Sequence, residues 1–277
     1  MIMTPLTGRV AVITGSNKGI GYYIALQLGL SGLFSHILLG CRDALLAENA
    51  VASLRQQLTP DVQVSFEPLT LGDFQSHQQF CQRVAERFDD KVDVLVNNAA
   101  MAYKNADPTP FQAQCTPTLD VNFRGTVDLT HRMLPLLKNG QDPRIVNVAS
   151  MSGRLSQLAP PRQEQFTDPE LTMEELNALV NEYESDVLHG IHRERGWGNS
   201  NYGMSKLAVV AATRVWARQY AGWITINCCC PGYCKTDMTS QQGLRDPADG
   251  AQNAVIPATM PNPPTGAFFQ DYAPGDW

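Results

Sequence analysis

The 277-residue sequence lacks the features of a membrane protein or a nucleic-acid-binding protein. No apolar run approaches the roughly 18 residues that a membrane span requires. Residues 1–8 lack the basic-then-apolar pattern of a signal peptide. The net charge of -6 disfavours a nucleic-acid surface. We therefore expect neither a membrane nor a nucleic acid as a partner.

The cysteines also lack the arrangement of a disulfide framework or a zinc site. There are seven, an odd number, and three are adjacent at residues 228–230. That cluster contains no Cys-x-x-Cys pair and has no histidine nearby. We therefore predict no metal site, and we expect a reducing, cytoplasmic compartment.

What the chain does contain is a regular alternation of strand and helix patterns. Short apolar runs at residues 9–14, 36–39, 62–66, 91–96, 144–148, 223–230 and 265–269 predict seven strands, followed by a polar tail. Helical patterns separate most of them, including a long one at 111–137 that Pro135 breaks late. This alternation predicts one α/β domain over residues 1–277, a doubly wound parallel sheet of Rossmann type with helices on both faces.

A glycine-rich turn follows the first predicted strand. Gly15, Gly19 and Gly21 lie between that strand and a helical segment at 22–30. Glycines let the backbone turn tightly and approach a pyrophosphate, which the free N–H groups of a helix N-terminus attract. The sequence therefore predicts a dinucleotide site, with glycines that merely form a turn as the alternative.

The end of the second predicted strand favours NADPH over NADH. In dinucleotide folds an acidic residue at this place binds the ribose 2′-hydroxyl, whereas arginine accommodates a 2′-phosphate. Here Cys41 is followed by Arg42, and Lys18 in the glycine turn is a second cation. We predict that the two cations flank a phosphate. The alternative is that each is a solvated surface charge. We interpret the next residue, Asp43, as the cap of the following helix.

Tyr202 and Lys206 stand four residues apart at the start of a helical pattern. Such residues share one helix face, roughly 6 Å apart at Cβ. Lowering a phenol pKa from about 10 to neutrality takes roughly 4 kcal/mol, which a charge about 4 Å away supplies at an effective dielectric of about 20. The pair therefore predicts an acid catalyst, with a half-buried packing tyrosine as the alternative.

About fifty residues separate Ser150, at the end of the fifth predicted strand, from Tyr202. The first half of this connection contains three prolines and is predicted to be a loop. The second half, residues 171–191, has apolar residues at helical spacing. We expect a helical insertion at about 151–200 that covers another part of the molecule rather than linking two domains.

Six motifs in order make the chain resemble the short-chain dehydrogenase/reductase superfamily over nearly its whole length. They are TGSNKGIG (14–21), NNAA (97–100), VNFRG (121–125), IVNVAS (145–150), YGMSK (202–206) and PGYCKT (231–236). The insertion, the Gly-Trp pair before Tyr202, the cysteines before Pro231 and the terminal Trp277 are similar to the monomeric NADPH-dependent carbonyl reductases of that superfamily.

The resemblance implies an NADPH-dependent reductase of aldehydes, ketones or quinones. Tyr202 would protonate the carbonyl oxygen as hydride arrives, and Lys206 would lower the pKa of Tyr202 and hold the nicotinamide ribose. Ser150 would stabilise the developing negative charge, and Asn122 would link Lys206 to solvent in a proton relay. Without the resemblance, Ser150 is a cap or turn residue and Asn122 a packing residue.

The resemblance also implies which residues line the two binding sites. The substrate would contact Ser150, Met151, Trp197, Tyr202 and Tyr233, in an apolar pocket that includes Met238 and is walled by the insertion. The cofactor would contact Gly15, Asn17, Lys18, Gly19, Ile20, Gly21, Arg42, Thr70, Leu71, Asn98, Ala99, Ala100, Tyr202, Lys206, Pro231, Gly232 and Thr236.

Four positions depart from, or only partly match, the family pattern. Ala100 stands where the family usually has glycine, a small change. Thr70 occupies the place of an aspartate that contacts adenine, so the sequence does not define that contact. Tyr233 replaces a tryptophan, so the preference of the pocket can differ. Cys230 matches a cysteine near the substrate and glutathione region, with buried strand packing as the alternative.

The oligomeric state and two rival functions complete the expectations. The insertion is expected to cover the helix face that related enzymes use for pairing, which gives a monomer. One rival is a reductase or dehydrogenase of a single metabolite such as a pterin or a steroid. The other is an NADP(H)-sensing protein without catalysis, which the four filled catalytic positions disfavour.

Overall fold

One mixed sheet forms the centre of the molecule in the computed structural model, which describes residues 8–104 and 106–277. Within these residues the sheet has eight strands in the order β3-β2-β1-β4-β5-β6-β7-β8. The first seven are parallel and the last is antiparallel. The strands are β1 (Val10–Thr14), β2 (His36–Cys41), β3 (Gln63–Pro68), β4 (Val94–Asn97), β5 (Arg144–Val148), β6 (Thr225–Cys229), β7 (Phe268–Gln270) and β8 (Ala273–Gly275).

Helices cover both faces of this sheet. One apolar layer joins the strands to α1, α2 and α9, and a second joins them to α3, α4, α5, α7 and α8. The fold class predicted from the alternating pattern is therefore confirmed. The helices are α1 (Gly19–Leu30), α2 (Ala44–Gln57), α3 (Phe74–Phe88), α4 (Phe111–Leu119), α5 (Gly125–Lys138), α6 (Pro160–Thr167), α7 (Met173–Leu188), α8 (Asn201–Gln219) and α9 (Pro247–Thr259).

The burial of the central strands explains why the sequence predicted them correctly. Every residue of β1 and β4 is buried, because helices pack on both sides of a parallel sheet. Such strands appear in the sequence as continuous apolar runs rather than alternating ones. The strand order reverses between β1 and β4, which opens a crevice at the carboxyl edge of the sheet.

Proline accounts for most of the differences from the expected elements. The stretch after Ser150 was predicted to be a loop, but α6 begins there at Pro160, since proline is tolerated in the first turn of a helix. Pro135 does not end α5, which continues to Lys138. Residues 273–275, expected in a polar tail, form the edge strand β8, where proline is also tolerated.

The insertion is a helical cover. Helix α7 packs on α4 and α8, and a capping box between Thr172 and Glu175 fixes its first turn. Tyr183 of α7 donates a hydrogen bond from its hydroxyl to Asn201 Oδ1 at 2.7 Å, beside the start of α8. The insertion therefore helps to position the helix that carries Tyr202 and Lys206.

Across the part of the chain that the structure describes, no helix combines the length and apolar character that crossing a bilayer would take.

Candidate active site

The predicted site residues gather at the carboxyl edge of the sheet. The glycine turn follows β1, Asn98 follows β4, Ser150 follows β5 and the 231–236 segment follows β6. The ends of parallel strands meet at one edge, which is where folds of this kind bind ligands.

The glycine turn packs too closely against its surroundings to accept side chains. Gly15 and Gly19 have φ angles of 63° and 57°, which favour glycine. A Cβ on Gly15 would lie 2.8 Å from Cα of Ala99, and one on Gly21 would lie 2.4 Å from Nδ2 of Asn98. These glycines therefore shape a backbone surface against the segment that follows β4.

Hydrogen bonds from that segment hold the turn in place. Thr14 Oγ1 accepts from the N–H groups of Asn98 at 3.0 Å and Ala99 at 2.9 Å. Asn98 Nδ2 donates to the carbonyls of Thr14 at 2.9 Å and Gly15 at 3.1 Å. The structure thus places Asn98 and Ala99, two of the expected cofactor contacts, beside the glycine turn.

The N-terminus of α1 suits an anion. Its N-cap residue, Lys18, makes no capping hydrogen bond with its side chain, and the first turn contains no acidic residue. The first N–H groups of a helix have no partner within the helix and attract negative charge. Together with the glycine surface, this end fits the pyrophosphate of a dinucleotide.

The cations expected at a 2′-phosphate have different surroundings. Arg42 is exposed just after β2 and makes no hydrogen bond or ion pair with any residue that the structure describes. Lys18 Nζ lies 2.7 Å from Asp237 Oδ2, and both side chains are 62% exposed. Asp43 accepts a hydrogen bond from the N–H of Leu46 at 2.9 Å, which confirms it as the cap of α2.

Thr70 and Leu71 lie at the same edge, after β3, and both are partly exposed. The N–H of Thr70 donates to Ser76 Oγ at 2.9 Å. The neighbouring Asp73 accepts from the N–H groups of Gln75 and Ser76 and so caps α3. Asp73 is thus engaged in capping α3, and contact of Thr70 and Leu71 with the cofactor stays a prediction.

The tyrosine and the lysine both lie in the first turns of α8. Ser200 Oγ caps this helix by accepting from the N–H of Gly203 at 2.9 Å. Tyr202 is partly exposed, whereas residues 203–213 are buried. Lys206 is 3% exposed, and its Nζ donates to the carbonyl of Val148 at 2.7 Å.

Ser150 lies opposite this helix. It caps the short 3-10 turn Met151–Gly153 by accepting from the N–H of Ser152 at 3.1 Å. A Cβ on Gly153 would lie 2.7 Å from the backbone N of Leu207, so the turn is pressed against α8. The capping role that the sequence allowed is therefore present in the structure.

Burial dominates the titration of the two helix residues. It raises the pKa of Tyr202 to about 12, and the Ser150 hydroxyl opposes that rise. It also lowers the pKa of Lys206 to about 8. Lys206 is not among the groups that shift the pKa of Tyr202 in the protein alone, so its expected tuning of this phenol stays a prediction. Its ammonium lies 5.8 Å from the centre of the tyrosine ring, and the loss of water around the phenolate is the largest cause of the raised pKa.

Asn122 contacts α8 through Ser205, the residue before Lys206. It sits in a π-helical segment, Asp120–Arg124, between α4 and α5, and is 1% exposed. Its side chain pairs with the backbone N–H and carbonyl of Met101 at 2.8 and 2.9 Å and donates to Ser205 Oγ at 3.0 Å. A packing role is therefore present, and the proton relay to Lys206 stays a prediction.

Trp197 was expected to contact substrate, and its position contradicts this. It is 4% exposed, and its indole N–H donates to Asp186 Oδ2 at 2.8 Å. The Arg162 guanidinium carbon lies 3.9 Å from the ring centre, with Phe166 and Tyr183 at its edges. Trp197 is therefore part of the core of the insertion, where the carboxylate of Asp186 provides the hydrogen-bond partner that its buried indole N–H requires.

The other expected substrate contacts border the cleft. Met151 is partly exposed, Tyr233 is 56% exposed and Met238 41% exposed. Cys230 is 3% exposed, and its sulfur accepts from the N–H of Met151 at 3.2 Å and of Gly232 at 3.3 Å. This sulfur therefore ties the turn after β5 to the turn after β6. The resemblance pointed to Cys230, but the sequence did not predict that its sulfur contacts both turns.

The remaining cofactor positions follow the same edge. Thr236 lies beside the glycine turn, since a Cβ on Gly19 would be 3.5 Å from its Cγ2. Asn17, Ile20, Ala100 and Gly232 are partly exposed and Pro231 is buried.

The chain belongs to the short-chain dehydrogenase family, whose model, described as short chain dehydrogenase, matches residues 9–159 and 190–246. The predicted family is thereby confirmed, and the chain is an oxidoreductase enzyme. The unmatched residues 160–189 contain α6 and α7, the two helices of the insertion.

Named relatives and solved structures are similar along almost the whole chain. Carbonyl reductase (NADPH) 1 of Homo sapiens is 37% identical over 281 residues, which cover 97% of this chain and 98% of that protein. The protein of the same name from Sus scrofa is 36% identical over 280 residues, with coverages of 97% and 94%. The structure of salutaridine reductase from Papaver somniferum has a TM-score of 0.85 at 29% identity, covering 94% and 99% of the two chains. Menthone neomenthol reductase from Mentha piperita has a TM-score of 0.80 at 27% identity, covering 95% and 98%.

Proposed function

We propose that the protein is an NADPH-dependent reductase that acts on the carbonyl group of aldehydes, ketones or quinones. The observation that carries this proposal is the meeting of Tyr202, Lys206 and Ser150 in one cleft, at the same sheet edge as the glycine turn. The relatives named carbonyl reductase (NADPH) 1, similar over 97% of the chain, support the same chemistry.

The residues at the sheet edge fit NADPH as the cofactor, which supplies a hydride when bound. The glycine turn and the free N-terminus of α1 would hold the pyrophosphate. Arg42, exposed at the end of β2, would hold the 2′-phosphate as a planar, bidentate cation. Asp43, the nearest acidic side chain after β2, is engaged as a helix cap and is poorly placed to select a 2′-hydroxyl.

The residues of the cleft would supply the proton and stabilise charge. A Tyr202 pKa of about 12 keeps the phenol protonated at neutral pH, so it can donate to the carbonyl oxygen. The Ser150 hydroxyl would donate a hydrogen bond to the same oxygen as negative charge develops. The buried Lys206 ammonium would stabilise the phenolate that remains after proton transfer. Asn122, bonded to Ser205 on α8, would belong to the path that returns a proton.

The insertion supports a monomer in solution. Helix α7 packs on α4 and α8, the face we infer that related enzymes use for pairing. Arg124 at the end of the π-helical segment strengthens this contact, since its guanidinium binds Glu184 of α7 at 2.5 Å. Size-exclusion chromatography with light scattering should give the mass of one chain, and a stable dimer or tetramer would contradict the inference.

The seven cysteines are unpaired, which supports a reducing, cytoplasmic compartment.

A dedicated reductase of one metabolite is the second candidate. The similar structures of salutaridine reductase and menthone neomenthol reductase favour it, because each is named for particular compounds rather than for carbonyl compounds in general. NADPH oxidation with quinones, aromatic ketones, pterins and steroids tests both candidates. Turnover of many carbonyls supports the broad reductase, and turnover confined to one class supports the dedicated enzyme. Tight NADPH binding with no turnover on the panel would favour a sensing protein instead.

A further inference from the structure

The loop that follows β6 closes back on itself at Arg245. This loop, residues 231–245, carries Tyr233 and Met238 at the border of the cleft. The N–H of Arg245 donates to the carbonyl of Tyr233 at 3.0 Å, and the N–H of Lys235 donates to the carbonyl of Arg245 at 2.9 Å. Arg245 therefore marks the point where the returning chain meets the start of the loop.

The side chain of Arg245 occupies the space next to Gly232. A Cβ added to Gly232, whose φ is 81°, would lie 3.0 Å from Nη1 of Arg245. The same Nη1 lies 3.4 Å from the carbonyl oxygen of Pro231, to which it donates. The guanidinium thus packs directly against the turn from which the side chain of Tyr233 emerges.

The other nitrogen of this guanidinium reaches the hairpin between β7 and β8. Nη2 of Arg245 donates to Asp271 Oδ1 at 2.5 Å, and the guanidinium carbon lies 5.7 Å from the centre of the Tyr272 ring. The hairpin is itself fixed, because the N–H of Tyr272 donates to Asn253 Oδ1 of α9 at 2.8 Å. Arg245 therefore connects the loop to an anchored part of the sheet.

The link continues into the cleft. The N–H of Gly232 donates to the sulfur of Cys230, which also accepts from Met151 beside Ser150. An exposed ion pair stabilises a fold by only about 0–1 kcal/mol. Arg245 is 28% exposed, however, and its planar fork directs donors to two separate segments in a fixed geometry, which the flexible point charge of a lysine does not reproduce.

We propose that Arg245 is a positioning residue for substrate recognition. By bonding Asp271 and Pro231 it fixes the Gly232–Tyr233 turn, and so the place of the Tyr233 ring at the mouth of the cleft. This inference rests on the proposed function and names a determinant of its substrate range. Large aromatic carbonyl compounds that reach Tyr233 depend on the link; small aldehydes and the cofactor do not.

The test compares Asp271→Asn with a matched control, Asp142→Asn. Both aspartates pair with an arginine, Arg245 and Arg144, and both have positive φ angles, 47° and 52°. Asp142 precedes β5 at the opposite edge of the sheet. We expect Asp271→Asn to raise the KM of a bulky aromatic ketone about fivefold, the scale of one exposed ion pair. We expect kcat and the KM values of a small aldehyde and NADPH to stay within about twofold, and Asp142→Asn to change none of them.

A second measurement does not need turnover. Hydrogen exchange of the amides at 232–245 should become faster in Asp271→Asn and in Arg245→Lys, and stay unchanged in Asp142→Asn. If the wild-type protein reduces no carbonyl compound, the proposed function fails while this exchange still tests the link. Unchanged exchange in both variants, or equal KM changes for small and bulky substrates, would overturn the role of Arg245.

Discussion

Replacing Lys206 with methionine should make the protein more stable while it destroys the proposed catalysis. The Lys206 ammonium is 3% exposed and donates one hydrogen bond, to the carbonyl of Val148. Burial lowers its pKa from an ordinary 10.5 to about 8, so the folded state holds this charge at a cost. Methionine has a similar length and no charge to desolvate.

The size of the effect follows from the pKa. At about 1.4 kcal/mol per pH unit, the change from 10.5 to about 8 corresponds to about 3 kcal/mol at neutral pH. Losing the hydrogen bond to Val148 offsets about 1 kcal/mol of this. We therefore expect Lys206→Met to raise the free energy of unfolding by about 2 kcal/mol and Tm by about 5 °C.

The pH dependence identifies the cause. The folded pKa lies below the unfolded one, so the penalty is complete below pH 8 and disappears as the pH rises to 10.5. The stability advantage of Lys206→Met should therefore be constant from about pH 6 to 7.5 and shrink between about pH 8 and 10. Urea unfolding followed by circular dichroism measures it, with the exposed Lys138→Met as the control. A Lys206→Met variant that is less stable than the wild type at pH 7 would refute the reasoning. So would a gain in unfolding free energy that stays the same from pH 6 to pH 10.

Three other predictions concern the cofactor site and the insertion. Arg42→Asp should weaken NADPH binding at least about tenfold while improving NADH, measured by fluorescence titration, and an unchanged preference would place the 2′-phosphate elsewhere. Gly21→Ala would put a methyl group 2.4 Å from Nδ2 of Asn98, so we expect a loss of about 1–3 kcal/mol in unfolding free energy together with weaker NADPH binding; full binding would show that the turn can relax. Trp197→Phe removes the hydrogen bond to Asp186, so it should lower unfolding free energy by about 2 kcal/mol and leave KM nearly unchanged, whereas a raised KM at unchanged stability would restore Trp197 to the substrate pocket.

Local patterns in the sequence were enough to predict the sheet and the paired helix residues. The central strands are fully buried and read as apolar runs, and spacing alone places Tyr202 and Lys206 on one helix face. The sequence also predicted a helix cap correctly, since Asp43 caps α2. These features depend on neighbours within a few positions of the chain.

What the sequence did not reveal depends on distant neighbours. The pKa of Tyr202 is raised chiefly by burial, which no spacing rule measures. Trp197 precedes Tyr202 by five residues, yet it packs into the insertion instead of the cleft. The link between Arg245 and Asp271 spans 26 positions and depends on the β7–β8 hairpin, whose second strand was predicted to be part of a polar tail.

The most direct test of the central claim is NADPH oxidation by the wild-type protein and by Tyr202→Phe, with an aromatic ketone at pH 7. Only the hydroxyl group is removed, so NADPH affinity and the circular dichroism spectrum should be retained. We predict that kcat/KM falls at least about 100-fold, the scale of a lost general acid. A variant that keeps activity within about tenfold of wild type would contradict the assignment of Tyr202 as the proton donor.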